Sequence, residues 1–228
     1  MKDRDARTIQ MIGEDGMAKL RAAKVLVVGV GGVGSYAAEA IARSGVGTVT
    51  VCDGDEVAAS NLNRQLIALA STIDKNKAEV MAERIKDINP ECKVTAIPHF
   101  YKPTGDANGI QDLNIEDYDW IIDAIDDVDA KVALIKNAKA ANVNIISAMG
   151  AAGKFDTYFK VADISKTSVC PLAKVMRKRL REEGIEHLPV VFSEEKPIPR
   201  DGELGSMSYV PGAMGLELAG YVIKEVVR

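Results

Sequence analysis

The feature that most constrains the fold is an alternation of short apolar segments with amphipathic ones. Between the second and third apolar segments, for example, the apolar residues from Ala78 to Ile88 recur with helical spacing. Such alternation is typical of a parallel sheet covered by helices. The sequence therefore predicts a Rossmann-like α/β fold, with a mainly parallel sheet and helices on both faces. The five predicted strands are Val25–Val28, Thr48–Cys52, Val94–Ile97, Trp120–Asp123 and Asn144–Ser147.

The pattern changes in the C-terminal third of the chain. A run of small residues, Ala151-Ala152-Gly153, follows the fifth predicted strand and predicts a flexible joint. Tyr158–Ala162 alternates as an exposed strand does, and Leu172–Glu183 and Ala213–Val227 have the character of helices. We expect this third to extend the sheet with antiparallel strands and to add two helices.

Composition narrows the class of protein. The chain has 228 residues, of which 47% are hydrophobic and 27% charged, as in a globular protein. Its cysteines, Cys52, Cys92 and Cys170, form no C-x-x-C pair, so they predict neither a disulfide framework nor a four-cysteine zinc site. The amino terminus is charged, and charges interrupt the C-terminal apolar run. We therefore expect a cytoplasmic protein with no membrane span.

A glycine-rich turn links the first predicted strand to a helix. Gly29, Gly31 and Gly34 satisfy the G-x-G-x-x-G pattern, which lets backbone N–H groups at a helix start approach a phosphate. Asp53 ends the second predicted strand, where an acidic side chain binds ribose hydroxyls. Taken alone, these residues predict a dinucleotide site for NAD. An NAD-binding oxidoreductase is therefore one hypothesis for the function.

The residues after the second strand favour a different ligand. Arg64 lies beside Asn61 and Gln65, and Lys77 starts the next helix. A triphosphate that is about to lose pyrophosphate develops negative charge, which Arg and Lys side chains stabilise. A redox dinucleotide needs no such cations. The segment therefore favours ATP over NAD.

Acidic residues follow the fourth predicted strand. Loops at the carboxyl ends of parallel strands line the ligand crevice, so Asp126 is expected to face the nucleotide. A carboxylate beside a triphosphate is unfavourable unless a divalent cation lies between them, so Asp126 predicts a magnesium ligand. Asp127 precedes the next helix and predicts its N-cap.

In this order, the motifs resemble the ThiF/MoeB-type adenylating family, whose fold ubiquitin-activating enzymes share. The resemblance covers nearly the whole chain and includes Arg4-x-x-Arg7 and Asn89-Pro90. It implies a single adenylating domain over 1–228, with a nucleotide-binding half (1–150) and an acceptor-binding and dimerisation half (151–228). It also implies Mg²⁺ at Asp126. In a homodimer, Arg7 would reach the partner subunit's triphosphate, and Arg64, Lys77 and Asp126 would complete the catalytic set. The implied ATP-binding residues are Gly29, Gly31, Gly32, Gly34, Ser35, Asp53, Asp55, Asn61, Asn63, Arg64, Gln65 and Lys77.

Within that family, the chain is most similar to the tRNA threonylcarbamoyladenosine dehydratase branch, on phrases such as Arg43-Ser44-Gly45 and Cys170–Lys174. That branch adenylates the carboxylate of N6-threonylcarbamoyladenosine at tRNA position 37, after which a ring closes. The alternative is an adenylyltransferase that activates the C-terminal carboxylate of a sulfur-carrier protein. Because such enzymes usually keep two C-x-x-C zinc pairs, the cysteine pattern favours tRNA. Whether the protein also has a sulfur-relay partner protein is left open by the sequence.

The helix predicted over Leu172–Glu183 carries a cluster of basic residues. The net charge of −4 argues against a nucleic-acid footprint over the whole surface, but it leaves room for a local basic patch. We expect the cluster to contact tRNA phosphates. Its members are Lys174, Arg177, Lys178 and Arg181. The apolar segment Ala213–Val227 has little polar face, which we interpret as support for a homodimer.

Overall fold

A computed structural model describes residues 4–102 and 113–228. The strands in this part of the chain are β1 (Lys24–Val28), β2 (Thr48–Cys52), β3 (Lys93–Ile97), β4 (Trp120–Asp123), β5 (Asn144–Ala148), β6 (Lys160–Asp163) and β7 (Pro189–Phe192). The α-helices are α1 (Ala6–Ala22), α2 (Gly34–Arg43), α3 (Lys77–Ile88), α4 (Val128–Ala140), α5 (Pro171–Glu182) and α6 (Tyr209–Val227).

The strands form one sheet in the order β3-β2-β1-β4-β5-β7-β6. β1 to β5 are parallel to one another, which confirms the predicted Rossmann-like sheet. All five strands predicted for the first part of the chain are present, with ends shifted by no more than one residue. The strand order reverses between β1 and β4, and ligands bind at such a switch point in open α/β sheets.

The antiparallel strands expected in the C-terminal third are confirmed in the pair β6 and β7. β6 runs antiparallel to β7, but β7 is parallel to β5 through Ser147↔Val190 and Ala148↔Val191. β6 therefore runs in the direction opposite to β5, and β7, which is antiparallel to β6, again has the direction of β5. The strand predicted over Tyr158–Ala162 begins two residues later, at Lys160. Tyr158 precedes it and is 65% exposed.

Apolar side chains of the sheet alternate between two buried layers. Val25 and Val27 pack with α1, α2, α3 and α6, whereas Leu26 and Val28 pack with α4 and α5. Strands buried on both faces in this way are almost continuously apolar. The arrangement confirms helices on both faces of the sheet and leaves the carboxyl ends of the strands available for a site.

The apolar character of α6 is explained within the chain itself. Val210, Met214, Leu218 and Val222 are fully buried, and a Cβ at Gly215 would lie 2.3 Å from the carbonyl oxygen of Val33. The lack of a side chain at Gly215 lets α6 approach α2 closely. The chain's own core thus accounts for much of the apolar character of this segment, which by itself does not indicate a dimer interface; the homodimer stays a prediction. In residues 4–102 and 113–228, no helix combines the length and apolarity of a membrane span.

Candidate functional site

The glycine turn lies tightly between β1 and the loop that follows β4. Gly29 has a φ of 85°, and a Cβ there would lie 2.6 Å from the carbonyl oxygen of Ala124. A Cβ at Gly34 would lie 1.8 Å from the carbonyl oxygen of Gly29. Neither position accepts a side chain without movement of the backbone. The two glycines therefore fix the path of the turn.

The turn presents free backbone N–H groups. Across the described ranges, the N–H groups of Gly31, Gly32 and Val33 have no intramolecular acceptor, and all three residues line one cavity. They directly precede α2, whose N-terminus carries partial positive charge. Unpaired N–H groups at a helix start form an anion site. The arrangement fits the phosphates that the sequence predicts at this turn.

Asp53 connects the glycine turn to the end of β2. One of its carboxylate oxygens accepts from the N–H of Val30 at 2.6 Å, and the other accepts from the N–H of Asp55 at 2.9 Å. Burial raises the pKa of Asp53 against the effect of these hydrogen bonds. Asp53 lines the cavity, and each oxygen keeps a lone pair for a ribose hydroxyl.

The cavity has a volume of about 1330 Å³ and opens at the carboxyl ends of the parallel strands. It is large enough for a nucleotide together with a second substrate. The structure brings together ten of the predicted site residues on its walls: Gly29, Gly31, Gly32, Asp53, Asp55, Asn63, Arg64, Gln65, Lys77 and Asp126.

Three predicted ATP-binding residues do not line the cavity: Gly34, Ser35 and Asn61. Ser35 donates to the carbonyl oxygen of Gly31 at 2.6 Å and accepts from the N–H of Leu66 at 3.3 Å. The side-chain oxygen of Asn61 accepts from the N–H of Ala58 at 3.1 Å. In this structure they hold the cavity walls in place rather than face the space between them.

Arg64 and Lys77 bring two cations to the cavity wall. Lys77 is 5% exposed, and its Nζ lies 2.8 Å from an Asp55 carboxylate oxygen. The Arg64 guanidinium donates to the carbonyl oxygen of Ser60 at 2.7 Å and to the side chain of Asn63 at 2.8 Å. Since Arg64 contacts only neutral oxygens in the described chain, its charge is available for an anion.

Gln65 adds an observation that points to a ligand. The residue is 8% exposed, and its side-chain oxygen is buried without a hydrogen-bond partner in the described chain. Its side-chain nitrogen lies 3.7 Å from where a Cβ of Gly31 would be. A buried polar atom without a partner is costly, so a donor supplied by a ligand at the glycine turn would compensate it.

The loop after β4 is held by a buried ion pair that sequence reasoning missed. Lys131 and Asp123 are fully buried, with Nζ 2.9 Å from the carboxylate. Lys131 also donates to the carbonyl oxygen of Ile125 at 3.0 Å, and Ser147 donates to Asp123 at 2.5 Å. In sequence, Lys131 looks like one more surface lysine of a helix. The structure shows its role, because the packing of α4 on the sheet buries the Lys131 side chain completely.

The same loop carries the predicted magnesium ligand. Asp127 caps α4 by accepting from the N–H of Ala130 at 2.7 Å, which confirms its predicted role. Asp126 is exposed on the cavity wall. No cluster of three metal-ligating side chains occurs in the parts of the chain described, so Asp126 would act as a single protein carboxylate. Mg²⁺ bound to a nucleotide takes one or two carboxylates and completes its shell with phosphate oxygens and water, so the site fits this ion.

Arg7 does not reach the cavity of its own chain. It is exposed, and its guanidinium lies 3.4 Å from the side-chain oxygen of Gln10. The start of α1 lies near the opposite edge of the sheet, because Asp5 is beside Gly45, which precedes β2. Any catalytic contact of Arg7 must therefore be with another molecule.

The basic residues of α5 separate into two kinds. Lys174, Lys178 and Arg181 are exposed and border a common groove. Arg177 borders the same groove, but its guanidinium donates to the carbonyl oxygen of Thr167 at 2.9 Å and to the Thr167 hydroxyl. Arg177 thus ties α5 to the preceding loop. This structural contact was not expected from the sequence.

The fold and site define the class of protein: a nucleotide-binding α/β protein with a glycine turn, two cations and a carboxylate on the walls of one cavity. The ThiF family profile matches residues 3–228, and the chain belongs to this family.

Named relatives refine the comparison. The chain is 42% identical over 237 residues to the tRNA threonylcarbamoyladenosine dehydratase of Bacillus subtilis, covering 95% of this chain and 92% of that protein. It is 34% identical to the sulfur carrier protein ThiS adenylyltransferase of Escherichia coli, over 65% of this chain and 59% of that protein.

A solved structure supports the same relationship. The crystal structure of the E. coli tRNA N6-threonylcarbamoyladenosine dehydratase in complex with ATP aligns with a TM-score of 0.89 at 36% identity. The alignment covers 99% of this chain and 94% of that chain.

Proposed function

We propose that this protein is an ATP-dependent dehydratase that adenylates the carboxylate of N6-threonylcarbamoyladenosine at position 37 of tRNA and promotes its cyclisation. The observation that carries the proposal is the cavity, where free N–H groups of the glycine turn share the walls with Arg64 and Lys77. The 42% identity to a dehydratase and the ATP complex of a similar structure support the substrate assignment. An NAD-binding oxidoreductase would not account for Arg64 and Lys77 at this cavity.

The chemistry requires the protein to position two anions and to neutralise them. A carboxylate oxygen of the substrate bonds to the α-phosphorus of ATP, and the bond to the bridging oxygen breaks, so pyrophosphate leaves. A nucleophilic side-chain atom of the threonylcarbamoyl group then attacks the acyl carbon and loses a proton as AMP leaves with the former carboxylate oxygen. One water is lost in total. No protein nucleophile is needed, and positioning with charge stabilisation accounts for the catalysis.

Each wall of the cavity has a part in these steps. The N–H groups of Gly31, Gly32 and Val33 would hold phosphate oxygens, and Asp53 would accept from the ribose. Arg64 and Lys77 would stabilise the charge that grows on the leaving pyrophosphate. Mg²⁺ would be held by Asp126 and would screen the phosphates from its carboxylate.

The test is direct. Purified protein, ATP and tRNA carrying N6-threonylcarbamoyladenosine are incubated, and the nucleosides are then analysed by mass. We expect the nucleoside to lose one water only when ATP is present. Pyrophosphate release with a sulfur-carrier protein, but none with tRNA, would instead support the adenylyltransferase alternative. The similarity to the ThiS adenylyltransferase is the reason to test it.

The tRNA is proposed to dock along the groove that Lys174, Lys178 and Arg181 border on α5. Pro171, at the start of this helix, lines the cavity. At about 1.5 Å per residue, Arg181 lies about 15 Å further along the helix. A phosphate backbone bound to these side chains would thus pass beside the cavity that receives its modified base. A cytoplasmic location fits this substrate.

Reversing Lys174, Lys178 and Arg181 to glutamate should abolish turnover of tRNA and leave ATP binding unchanged. Because three phosphate contacts are involved, log K for wild-type tRNA binding should fall with log salt at a slope of about −2 to −3. Filter binding at several salt concentrations measures this slope. The control reverses Lys86, Lys93 and Lys139, which are exposed elsewhere and give the same change in net charge. If both triple variants behave alike, the docking site is not on α5.

A homodimer is proposed because Arg7 is exposed and lies far from its own cavity. A chain with Arg7→Ala should complement a chain with Asp126→Asn, since a mixed dimer holds one site with both residues intact. Random pairing at equal amounts would restore about one quarter of the wild-type sites. Pyrophosphate release after unfolding and refolding the mixture measures this recovery. Activity equal to the sum of the separate variants, or a monomer by light scattering, would contradict the proposal.

A further inference from the structure

The cavity has two chemically different halves. The nucleotide half carries the glycine turn and the charged residues described above. The other half, here called the acceptor wall, consists of small and apolar residues with one exception. Among its described residues, Lys154 is the sole charged side chain. The wall is formed by residues 148–152, Lys154, Cys170, Pro171, Leu172, Pro197, Leu204 and Gly205.

Lys154 is buried without a carboxylate partner. It is 4% exposed, and its ammonium donates to the backbone carbonyl oxygen of Glu195. The two Glu195 carboxylate oxygens accept from the N–H groups of Phe155 and Asp156, both at 2.9 Å, and this carboxylate acts on the Lys154 ammonium at longer range than an ion pair. Burial lowers the pKa of Lys154, as expected for an ammonium removed from water.

The other buried lysines beside the cavity differ from Lys154 in this respect. Lys77 lies 2.8 Å from the Asp55 carboxylate, and Lys131 lies 2.9 Å from that of Asp123. A buried ammonium with only a neutral carbonyl as its acceptor is an unfavourable arrangement. An anion supplied by a bound substrate would remove this cost. In the described chain, the structure thus contains a buried positive charge, on the wall of the cavity, without a carboxylate in ion-pair contact.

We infer that Lys154 binds the carboxylate of the acceptor substrate and holds it for attack on ATP. This inference rests on the proposed function, in which the reacting group of the acceptor is a carboxylate. In the proposed function, Arg64 and Lys77 hold the phosphates of ATP, so a third cation in the same cavity would give the acceptor carboxylate a partner of its own. The apolar remainder of the acceptor wall would exclude water from the reacting atoms.

The local backbone supports a fixed position for this lysine. Gly153 has a φ of 73°, donates its N–H to Gly205 at 2.7 Å and accepts from the N–H of Ile198 at 2.7 Å. A Cβ at Gly153 would lie 2.7 Å from the Leu204 side chain. The residue before Lys154 is therefore held between two segments of the loop that follows β7. Such rigidity suits a group that must present its charge at one place.

The variant Lys154→Gln separates charge from hydrogen bonding, because glutamine can still donate to Glu195. We expect the KM for threonylcarbamoylated tRNA to rise about 10- to 100-fold, as for the loss of one charge-assisted hydrogen bond, with ATP affinity unchanged within about twofold. Lys154→Arg should recover part of the loss, and Lys154→Met should resemble Lys154→Gln. A wild-type KM in Lys154→Gln would show that the lysine only anchors the loop. A parallel loss of ATP affinity would also overturn the assignment.

A binding experiment keeps this inference separate from the proposed function. In calorimetric titrations with a non-hydrolysable ATP analogue present, wild-type protein should prefer the free nucleoside N6-threonylcarbamoyladenosine over its methyl ester by about tenfold or more. Lys154→Gln should lose this preference. Absence of tRNA turnover in the wild type contradicts the proposed function alone, whereas equal binding of acid and ester by the wild type contradicts the role of Lys154.

Discussion

Replacing Arg64 or Lys77 with alanine is expected to slow adenylate formation by about 10²- to 10³-fold, which corresponds to about 3–4 kcal/mol of transition-state stabilisation. The reason is that both cations oppose charge that grows as pyrophosphate leaves, so they contribute more to the transition state than to bound ATP. Lys77→Ala removes the partner of Asp55, but that carboxylate side chain is 54% exposed and water can solvate it.

Pyrophosphate release at saturating ATP and tRNA measures this effect, and calorimetry with ATP measures ground-state binding. Lys86→Ala is a matched control, because Lys86 is an exposed lysine of the same helix as Lys77. Turnover near the wild-type rate in both site variants would remove the two cations from the mechanism. An equal loss in ATP affinity and in rate would restrict them to nucleotide binding.

The largest expected effect on stability follows from Lys131→Met. The variant leaves the Asp123 carboxylate fully buried without its cation, and removing one partner of such a pair costs about 3–5 kcal/mol. For a chain of this length, that corresponds to a fall in Tm of roughly 6–20 °C. Thermal unfolding followed by circular dichroism measures the shift.

The double variant Lys131→Met with Asp123→Asn tests the cause. It removes both charges while the amide can still accept from Ser147, so we expect it to recover a large part of the lost Tm. Lys139→Met changes an exposed lysine of the same helix and should leave Tm almost unchanged. A double variant no more stable than Lys131→Met would show that the loss arises from packing rather than from the unpaired carboxylate.

Much of the site could be predicted because its residues belong to short contiguous motifs. The glycine turn, Asp53, the segment around Arg64 and the start of α3 each follow a strand or begin a helix. A parallel sheet brings the carboxyl ends of its strands to one edge, so a motif at each strand end implies a shared cavity. Ten of the predicted residues do share it.

Interpretations that depended on unseen neighbours were less successful. The apolar character of α6 was interpreted as support for a dimer, but contacts with α1, α2 and the sheet account for much of it. Arg177 was grouped with the exposed basic residues, but it holds Thr167. In both cases the sequence shows the polarity of a side chain and not what surrounds it, so a core contact and an interface contact have the same pattern.

By itself, the sequence determined the strands of the nucleotide half, the phosphate turn and the cations that favour ATP, because periodicity and local spacing encode them. Only the tertiary structure decided which lysines are buried and what compensates them. The sequence does not distinguish three lysines that the structure buries. Lys77 pairs with Asp55, Lys131 pairs with Asp123, and Lys154 donates to a backbone carbonyl oxygen. The physical reason is that the free energy of a buried charge depends on its partners, which distant segments supply.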